Sequence, residues 1–243
     1  MKHKLPQIAV VIPAFNEEKY LPKCLKALQN QNYPKNLYNI LVVNNNSTDH
    51  TAEIAKKFGA RVLKEEKQGH VYSLNTGLLH AKGDIIAVTD ADTVVTKDWL
   101  FKLSQIFEDK TVVGVTGSIK LDIESKLFNA FITKLYNLFL TINFSCNKPH
   151  TAGPNMAIRK SIFINKLKCV DTRYKISGDV EIGMRLRKHG KVKFAKSLTV
   201  TTSSRRFKSD FWGFTRDFLK YSVAYVCAIW LQRPPTGHLL PIR

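Results

Sequence analysis

The sequence has 243 residues, of which 44% are hydrophobic and 23% are charged. This composition is that of an ordinary globular protein and excludes an intrinsically disordered chain, while the length allows one large or two small domains. The 38 Lys and Arg against 19 Asp and Glu give a formal net charge of +19. Such an excess attracts nucleic acid, anionic membrane surfaces or phosphorylated ligands, and it carries no information about fold.

The cysteines and the N-terminus bear on the compartment in which the chain works. The four cysteines, at positions 24, 146, 169 and 227, are far apart in the sequence. This spacing argues against a structural zinc site or a dense disulfide framework and favours a reducing, cytoplasmic environment. The apolar run near the N-terminus is short, is interrupted by Pro13 and lacks a small-residue cleavage site, so we expect a first strand rather than a signal peptide. No window has the roughly 18 uncharged apolar residues that a membrane-spanning helix needs.

The first half of the chain alternates buried-type apolar runs with helical patterns. Strands are predicted at residues 8–12, 40–43, 60–63 and 85–88, and helices at 17–29, 49–58 and 69–81. Ser47 or Thr48 is a natural N-cap for the second helix, and Gly59 is expected to end it. This alternation predicts βαβ units and an α/β fold with a mostly parallel, Rossmann-like sheet flanked by helices.

The second half is expected to continue the same domain. The pattern predicts a helix at 97–107, a strand at 112–119, a turn into a short strand at 153–159, a helix at 178–189 and short strands at 192–194 and 198–202. The aromatic stretch 127–144 fits either a core helix or a helix in a membrane interface, and we favour the core. An amphipathic helix at 210–231 ends the pattern, and the absence of repeats or linkers indicates one domain.

Two carboxylates follow the strand at 85–88. Asp90 and Asp92 stand at positions i and i+2, where the strand ends. In an open α/β sheet, ligands bind outside the carboxyl ends of the strands, and a hard divalent cation takes oxygen ligands and bridges to substrate phosphates. A plain polar turn is the alternative interpretation of this short motif.

Five motifs occur in a fixed order: VVIPAFNEEKYL at 10–21, NNNSTDHTAEIA at 44–55, GHVYSLNTGLLHAKGDIIAVTDAD at 69–92, GPNMAIRK at 153–160 and GDVEIGMRLRKHGK at 178–191. Their order and spacing resemble family-2 glycosyltransferases, which are inverting, nucleotide-sugar-dependent enzymes of the A-type glycosyltransferase fold. The resemblance covers residues 7 to 207. It implies a single domain 1–243, with a nucleotide-sugar-binding half at 1–95, an acceptor-binding half at 96–207, and an amphipathic C-terminal helix and tail at 208–243.

The resemblance implies a set of donor-site residues. Asp92 would touch Mn²⁺ or Mg²⁺ directly, and Asp90 would orient the ribose or the waters of the metal. Glu17 can accept hydrogen bonds from ribose hydroxyls, although a carboxylate in a first helical turn is favourable without any ligand. Asn44 departs from the Asp that is more common in the family, which leaves the base open. The base and ribose would be held by Pro13, Ala14, Asn16, Glu17 and Asn44, with Lys67 and Asn75 beside the donor.

The resemblance also implies residues on the acceptor side. Asp179 would be the general base, although Gly178 precedes it where the family has Glu, and an acceptor that is already an anionic lipid phosphate would need no base. Arg205 and Arg206 would close over the diphosphate, to whose oxygens Arg can bind bidentately. Asn155 is expected to shape the acceptor side, more as scaffold than as chemistry, together with Gly153 and Arg159.

The sequence therefore predicts a glycosyltransferase that moves a sugar from a nucleotide-diphosphate sugar to an acceptor hydroxyl or a lipid phosphate, with Mn²⁺ or Mg²⁺ as cofactor. The surplus positive charge and the aromatic, Lys-containing helices suggest peripheral docking on the anionic inner face of the cell membrane, where a lipid-linked acceptor would fit. One alternative is a nucleic-acid-binding protein, but the basic residues are spread along the chain without a known module, so no nucleic-acid partner is expected. A sugar nucleotidyltransferase would carry a Gly-rich loop with Lys or Arg after the first strand, which this sequence lacks.

Overall fold

The computed structural model describes residues 4–174, 178–205 and 229–231. The strands in these residues are β1 (Ile8–Ala14), β2 (Tyr38–Asn44), β3 (Arg61–Lys64), β4 (Ile85–Val88), β5 (Thr93–Val95), β6 (Val112–Asp122), β7 (Met156–Arg159) and β8 (Lys191–Ser203). The helices are α1 (Leu21–Gln29), α2 (Thr51–Lys57), α3 (His70–His80), α4 (Trp99–Ile106), α5 (Lys126–Ser145), α6 (Lys160–Ile162), which continues as a π-helical turn (Phe163–Leu167), and α7 (Gly178–Leu186).

The strands form one mixed sheet in the order β3-β2-β1-β4-β7-β6-β8-β5. The predicted βαβ units are confirmed, because β1 pairs in parallel with both β2 and β4, and β2 pairs in parallel with β3. The carboxyl ends of these strands, at Ala14, Asn44 and Val88, therefore lie at one edge of the sheet. This is the edge at which open α/β sheets bind ligands.

The other half of the sheet is largely antiparallel, which the sequence pattern did not indicate. β7 runs antiparallel to β4 and β6, and β5 antiparallel to β8, while β6 and β8 are parallel. Met156 pairs with Val88, so the 3₁₀ turn Gly153–Asn155 that precedes β7 lies at the ligand-binding edge. Thr202 pairs with Thr93, which brings the end of β8 beside Asp92.

The continuous apolar run of β1 is explained by burial on both faces of the sheet. Ile8, Val10 and Ile12 pack into one core cluster with the apolar residues of α1 and α4. Ala9 and Val11 belong to a second cluster with those of α3 and α7. Each fully buried large apolar side chain stabilises the fold by about 1.5–3 kcal/mol relative to exposure.

Two predictions of local structure were wrong. Neither Ser47 nor Thr48 caps α2, which begins at Thr51; both instead hydrogen-bond to Asn16 in the loop after β1. The two strands predicted after α7 form the single strand β8. Its pairing with β6 is irregular between Ala195 and Thr199, which is where the sequence pattern predicted a gap between two strands. The predicted end of α2 at Gly59 is confirmed, and this glycine has a φ of +73°.

The prediction that residues 127–144 form a core helix was also wrong. Helix α5 buries Leu140 and Asn143, but it leaves a row of large apolar side chains in solvent, with Leu127 87% exposed. Its apolar periodicity identified the helix but could not show which face meets the sheet. Within the described residues, no helix combines the length and the apolarity needed to cross a bilayer. The amphipathic helix predicted at 210–231 lies outside the described residues except for 229–231.

Candidate active site

The loops after β1 and β2 are joined by hydrogen bonds at the ligand-binding edge. Asn16 has a positive φ of 53°; its backbone N–H donates to Ser47 Oγ at 3.0 Å, and its Oδ1 accepts from the Thr48 N–H at 2.9 Å. The Glu17 N–H donates to Thr51 Oγ1 at 2.7 Å. Asn and Asp tolerate the left-handed region better than other non-glycine residues. The two loops therefore form one braced surface.

The predicted base-binding residues line the end of this surface. Pro13 and Ala14 are buried in β1 and pair with Val43 and Asn44 of β2. Asn44 is half-buried, and its Oδ1 accepts from the Ser47 N–H at 3.2 Å. Asn45 was not predicted from the sequence. It is 2% exposed, its amide nitrogen donates to the carbonyls of Glu65 and Lys67, and its amide oxygen accepts from the Gly69 N–H. Asn45 holds the loop after β3 against the loop after β2.

Lys67 and Asn75 lie on the approach to this edge. Lys67 is exposed, with its Nζ 4.3 Å from the centroid of the Tyr72 ring. Asn75 is half-buried in α3, and its Oδ1 accepts from the Val170 N–H at 2.9 Å, which ties α3 to the segment before α7. Donor binding by these two residues stays a prediction.

Asp90 and Asp92 end up in different environments although they are two residues apart. Asp92 is 8% exposed; its Oδ1 accepts from the Thr202 hydroxyl at 3.1 Å, and its Oδ2 accepts from Arg205 Nε at 2.9 Å. Asp90 lies beside the start of α3, with its Oδ1 4.0 Å from His70 Nε2. The antiparallel pairing of β5 with β8 is therefore what supplies the partners of Asp92.

Arg205 links the two acidic parts of the predicted donor site. Its Nε binds Asp92 and its Nη2 binds Glu17 Oε1, while the guanidinium lies 4.3 Å from the centroid of the Tyr20 ring. Burial lowers the pKa of this guanidinium, but the hydrogen bond to Glu17 and the charge of Asp92 outweigh it and raise the pKa. One cation thus neutralises two carboxylates from different loops.

The donor set fits a hard divalent cation. The described residues contain no group of three or more His, Cys, Asp or Glu that could enclose a metal. However, Mg²⁺ commonly binds through one or two carboxylates plus substrate phosphates, and Asp90 and Asp92 provide such oxygens. Cys24 is buried beneath them; burial and then the charges of Asp92 and Asp90 raise its pKa, so it is a neutral thiol rather than a ligand. The guanidinium of Arg205 already shows that a cation is stable against Asp92.

Asp179 approaches Asp90 from helix α7. It is 5% exposed in the first turn of α7, and its Oδ2 accepts from the Gly153 N–H at 2.6 Å. A methyl group at Gly153 would sit 3.5 Å from both Asp179 Oδ2 and Asp90 Oδ1, so this glycine separates the two carboxylates. Burial, and to a smaller degree the charge of Asp90, raises the pKa of Asp179 to about 6. The carboxylate is thus poised to exchange a proton near neutral pH.

The residues around Asp179 explain the departure from the family motif. A Cβ at Gly178 would lie 3.0 Å from Val71 and 3.1 Å from Val170, so the helix approaches its neighbours closely there. Glu181, the second acid of the helix, instead pairs with Arg185 at 3.0 Å and accepts from the Asp171 N–H at 3.3 Å. Asp179 is therefore the carboxylate of this helix that faces the site.

Asn155 bonds to three other parts of the fold, and its binding of a substrate stays a prediction. It is fully buried; its Nδ2 donates to the carbonyls of Ser118 and Leu198 at 2.9 and 2.8 Å, and its Oδ1 accepts from Trp99 Nε1 at 2.9 Å. These hydrogen bonds join the turn before β7 to helix α4 and to strands β6 and β8. Arg159 is likewise bound to backbone carbonyls, those of Phe107, Asp109 and Val112. The scaffold role considered for both residues is the one that the geometry supports.

We expect Asn155→Ala to lower the free energy of unfolding by about 2–4 kcal/mol, since three buried partners lose their hydrogen bonds. Urea denaturation measures this loss, with Asn39→Ala as the control, because the Asn39 side chain makes a single exposed bond to the Lys82 carbonyl. Nucleotide affinity of the folded variant should stay within about twofold. An unchanged urea midpoint with weakened nucleotide binding would contradict the scaffold role.

The sequence model of glycosyl transferase family 2 matches residues 9–165, which include every element up to the π-helical turn after α6. The chain belongs to glycosyl transferase family 2. The probable glycosyltransferase YdaM of Bacillus subtilis is 32% identical over 206 residues, which are 75% of this chain and 47% of that protein. A dolichyl N-acetyl-alpha-D-glucosaminyl phosphate 3-beta-D-2,3-diacetamido-2,3-dideoxy-beta-D-glucuronosyltransferase of Methanococcus voltae is 34% identical over 124 residues, or 46% of this chain and 39% of that protein. The chain spans less than half the length of these curated relatives.

The family 2 chain also shares its architecture with a solved glycosyltransferase. The mannosyltransferase PcManGT from Pyrobaculum calidifontis, solved in complex with GDP-Man and Mn²⁺, superposes with a TM-score of 0.73 at 18% identity, over 98% of this chain and 67% of that chain. This likeness confirms the A-type glycosyltransferase fold. The mixed half of the sheet is thus part of the predicted fold.

Several residues at the site of this family 2 chain were not predicted from the sequence. His70, Tyr20 and Thr202 contact Asp90, Arg205 and Asp92 respectively. Tyr20 and His70 lie within two of the five motifs, but nothing in those motifs indicates which side chains they contact. Thr202 lies outside all five motifs and is 110 positions from Asp92. Arg206, which was predicted to bind the diphosphate, lies outside the described residues.

We expect Arg205→Ala to tighten binding of Mn²⁺ to the nucleotide-free protein by about threefold or more, because a positive charge next to Asp92 is removed. The same variant should weaken nucleoside diphosphate binding, since a phosphate-binding guanidinium is lost. Manganese binding measured by electron paramagnetic resonance tests the first effect, and calorimetry tests the second. Arg61→Ala is the control, because Arg61 is exposed on β3. Equal Mn²⁺ affinity in the wild type and Arg205→Ala would show that the guanidinium does not compete for the metal site.

Proposed function

We propose that this chain transfers a sugar from a nucleotide-diphosphate sugar to an acceptor hydroxyl or lipid phosphate, with inversion at the anomeric carbon and with Mn²⁺ or Mg²⁺ bound. The observation that carries the proposal is the convergence of Asp90, Asp92 and Asp179 at the carboxyl edge of the sheet, with Gly153 between Asp179 and Asp90. The family and fold support it. So does the GDP-Man and Mn²⁺ complex of the mannosyltransferase with the same fold.

The donor would occupy the surface formed by the loops after β1, β2 and β4. Asn16, Glu17 and Asn44 would hold the base and ribose, with Lys67 and Asn75 alongside. Asp90 and Asp92 would hold the cation, which supplies charge stabilisation to the departing diphosphate. Arg205 would release Asp92 and Glu17 and bind phosphate oxygens, together with Arg206.

The acceptor would bind on the side of Asp179. As the acceptor oxygen attacks the anomeric carbon, its proton passes to the Asp179 carboxylate, and the bond between that carbon and the diphosphate oxygen breaks. The hydrogen bond from the Gly153 N–H holds the carboxylate in place before the proton arrives. A single displacement of this kind inverts the configuration.

The two parts of the domain would bind different substrates. Residues 1–95 would bind the donor and residues 96–207 the acceptor, with Arg205 reaching from the second part to Glu17 and Asp92 of the first. The Methanococcus voltae relative is named for a dolichyl N-acetyl-alpha-D-glucosaminyl phosphate substrate. This supports a lipid-linked acceptor, and with it a peripheral position at the cytoplasmic face of a membrane.

A donor panel tests the proposal. The protein is incubated with UDP-, GDP-, dTDP- and CDP-linked sugars plus Mn²⁺, and release of the nucleoside diphosphate is measured with and without lipid phosphate or glycolipid acceptors. We expect one nucleotide class to be turned over and chelation of the metal to stop the reaction. Absence of turnover with every donor and acceptor would contradict the assignment.

A further inference from the structure

Helix α5 carries an apolar stripe on its outer side that the proposed reaction does not use. The stripe consists of side chains that recur at helical spacing and are 41–87% exposed: Leu127, Phe131, Leu135, Leu138 and Ile142. Residues four, eight, eleven and fifteen positions after the first share one face of an α-helix. Contiguous exposed apolar surface of this kind marks an interaction site more often than scattered single residues do.

A groove lined by lysines runs along the adjacent side of the same helix. It has a volume of about 700 Å³, and it is lined by Lys126 and Lys134 of α5, Lys120 of β6 and Lys196 of β8. No acidic side chain lines it. Among the described residues, no ion pair involves any of these four lysines. We call this feature the lysine groove.

The polar groups at the bottom of the lysine groove are bound within the fold. Asn137 Oδ1 accepts from the Ser118 hydroxyl at 2.8 Å, and the Thr141 hydroxyl donates to the Asn137 carbonyl at 2.7 Å. Asp122, the nearby acid at the end of β6, lies 3.7 Å from Lys23. The uncompensated feature of the groove is therefore positive charge, which fits a phosphate ligand.

The apolar stripe and the lysine groove lie side by side, and together they indicate what binds to α5. Residues 125–145 include two lysines and no acid, and the whole chain carries a formal charge of +19. Long lysine side chains extend toward phosphates while an apolar face beside them enters the acyl region, which is the arrangement of a helix lying in a membrane interface. A soluble anion would leave the apolar stripe in water, whereas an anionic bilayer satisfies both features.

We propose that α5 docks on an anionic lipid bilayer, with its apolar stripe at the level of the acyl chains and the lysine groove on the phosphate headgroups. This inference rests on the proposed function for its purpose, because docking would deliver a lipid-linked acceptor to the active site.

Vesicle flotation of the full chain tests the docking surface. We expect binding to vesicles of phosphatidylcholine mixed with phosphatidylglycerol, and weak binding to phosphatidylcholine alone. Replacing the lysines of the groove by Gln (Lys120→Gln, Lys126→Gln, Lys134→Gln, Lys196→Gln) should reduce the partition coefficient at least about tenfold, because each basic residue near an anionic surface strengthens binding several-fold. The matched control variant removes the same charge from four exposed lysines elsewhere, and its partition coefficient should fall much less. Its substitutions are Lys56→Gln, Lys57→Gln, Lys82→Gln and Lys110→Gln.

A second variant examines the apolar stripe. Leu127→Ser with Phe131→Ser should weaken vesicle binding several-fold, and the loss should persist at high salt, where charge attraction is screened. Equal losses in the groove variant and its matched control would overturn the proposal, as would equal binding to neutral vesicles. Thermal stabilisation by inorganic phosphate or binding of RNA through the groove lysines, without vesicle binding, would also overturn it. Every variant should bind nucleoside diphosphates as tightly as the wild type does. If the wild type itself binds no nucleoside diphosphate, that result counts against the proposed function and not against the docking surface.

Discussion

Asp179→Asn is expected to lower kcat for transfer to a hydroxyl acceptor by about 10²–10⁴-fold, because the variant cannot accept the proton of the attacking group. The wild-type rate should rise with pH through the pKa of Asp179, which is about 6, and then level off. Steady-state kinetics over this range measure both effects. Donor affinity should be unchanged, since Asp179 lies beyond Gly153 from Asp90.

Stability distinguishes this catalytic role from damage to the fold. The folded-state pKa of Asp179 lies above the ordinary value of 3.8, so the folded protein binds the proton more tightly than the unfolded chain does. The free energy of unfolding therefore falls as pH rises between these two values, by about 3 kcal/mol. Asp179→Asn removes this loss and should be more stable than the wild type at pH values above the folded-state pKa, but not below 3.8. Full activity of Asp179→Asn would rule out the base role and indicate an anionic acceptor such as a lipid phosphate.

Asp92→Asn is expected to reduce kcat/KM at least about a hundredfold, because Lewis-acid stabilisation of the leaving diphosphate is worth several kcal/mol. Asn keeps an oxygen that can accept from the Thr202 hydroxyl, so the fold around β5 should persist. Manganese titration followed by electron paramagnetic resonance should show weakened binding to the variant in the presence of nucleotide. The kcat/KM of the wild type and of Asp92→Asn is then compared at a saturating concentration of Mn²⁺.

Asp109→Asn is the control for this charge change. Asp109 is an exposed acid whose Oδ1 accepts from the Thr111 N–H at 2.9 Å, away from the predicted donor site. It should leave kcat/KM and Mn²⁺ binding unaltered. Equal Mn²⁺ affinity in Asp92→Asn and the wild type would remove Asp92 from the metal site.

The sequence predicts the parallel half of the fold well because its signals are local. The runs in β1 and β4 are apolar because both faces of those strands are buried, and the carboxylates that follow β4 come at the carboxyl end of a strand. β5 was missed because three residues make too short a pattern. The choice between a core helix and an interfacial helix for α5 could not be made from the sequence, because periodicity shows that a helix has two faces but not which neighbour covers each.

The candidate site was predictable only where motifs are contiguous. Asp90 and Asp92 are recognisable together, whereas the contact of Arg205 with Asp92 spans 113 positions and depends on the pairing of β5 with β8. The approach of Asp179 to Asp90 similarly depends on the antiparallel entry of β7 beside β4. The hydrogen bonds of Asn155 with Trp99, Ser118 and Leu198 could not be predicted, because no motif links these residues.

The central claim is a metal-dependent nucleoside diphosphate site at the carboxyl edge of the sheet. It is tested most directly by thermal stabilisation with UDP, GDP, dTDP and CDP, each with and without Mn²⁺, in the wild type and Asp92→Ala. We predict that one nucleotide raises the Tm of the wild type, that the rise requires Mn²⁺, and that it disappears in Asp92→Ala. A folded protein whose Tm is unaffected by all four nucleotides would contradict the account.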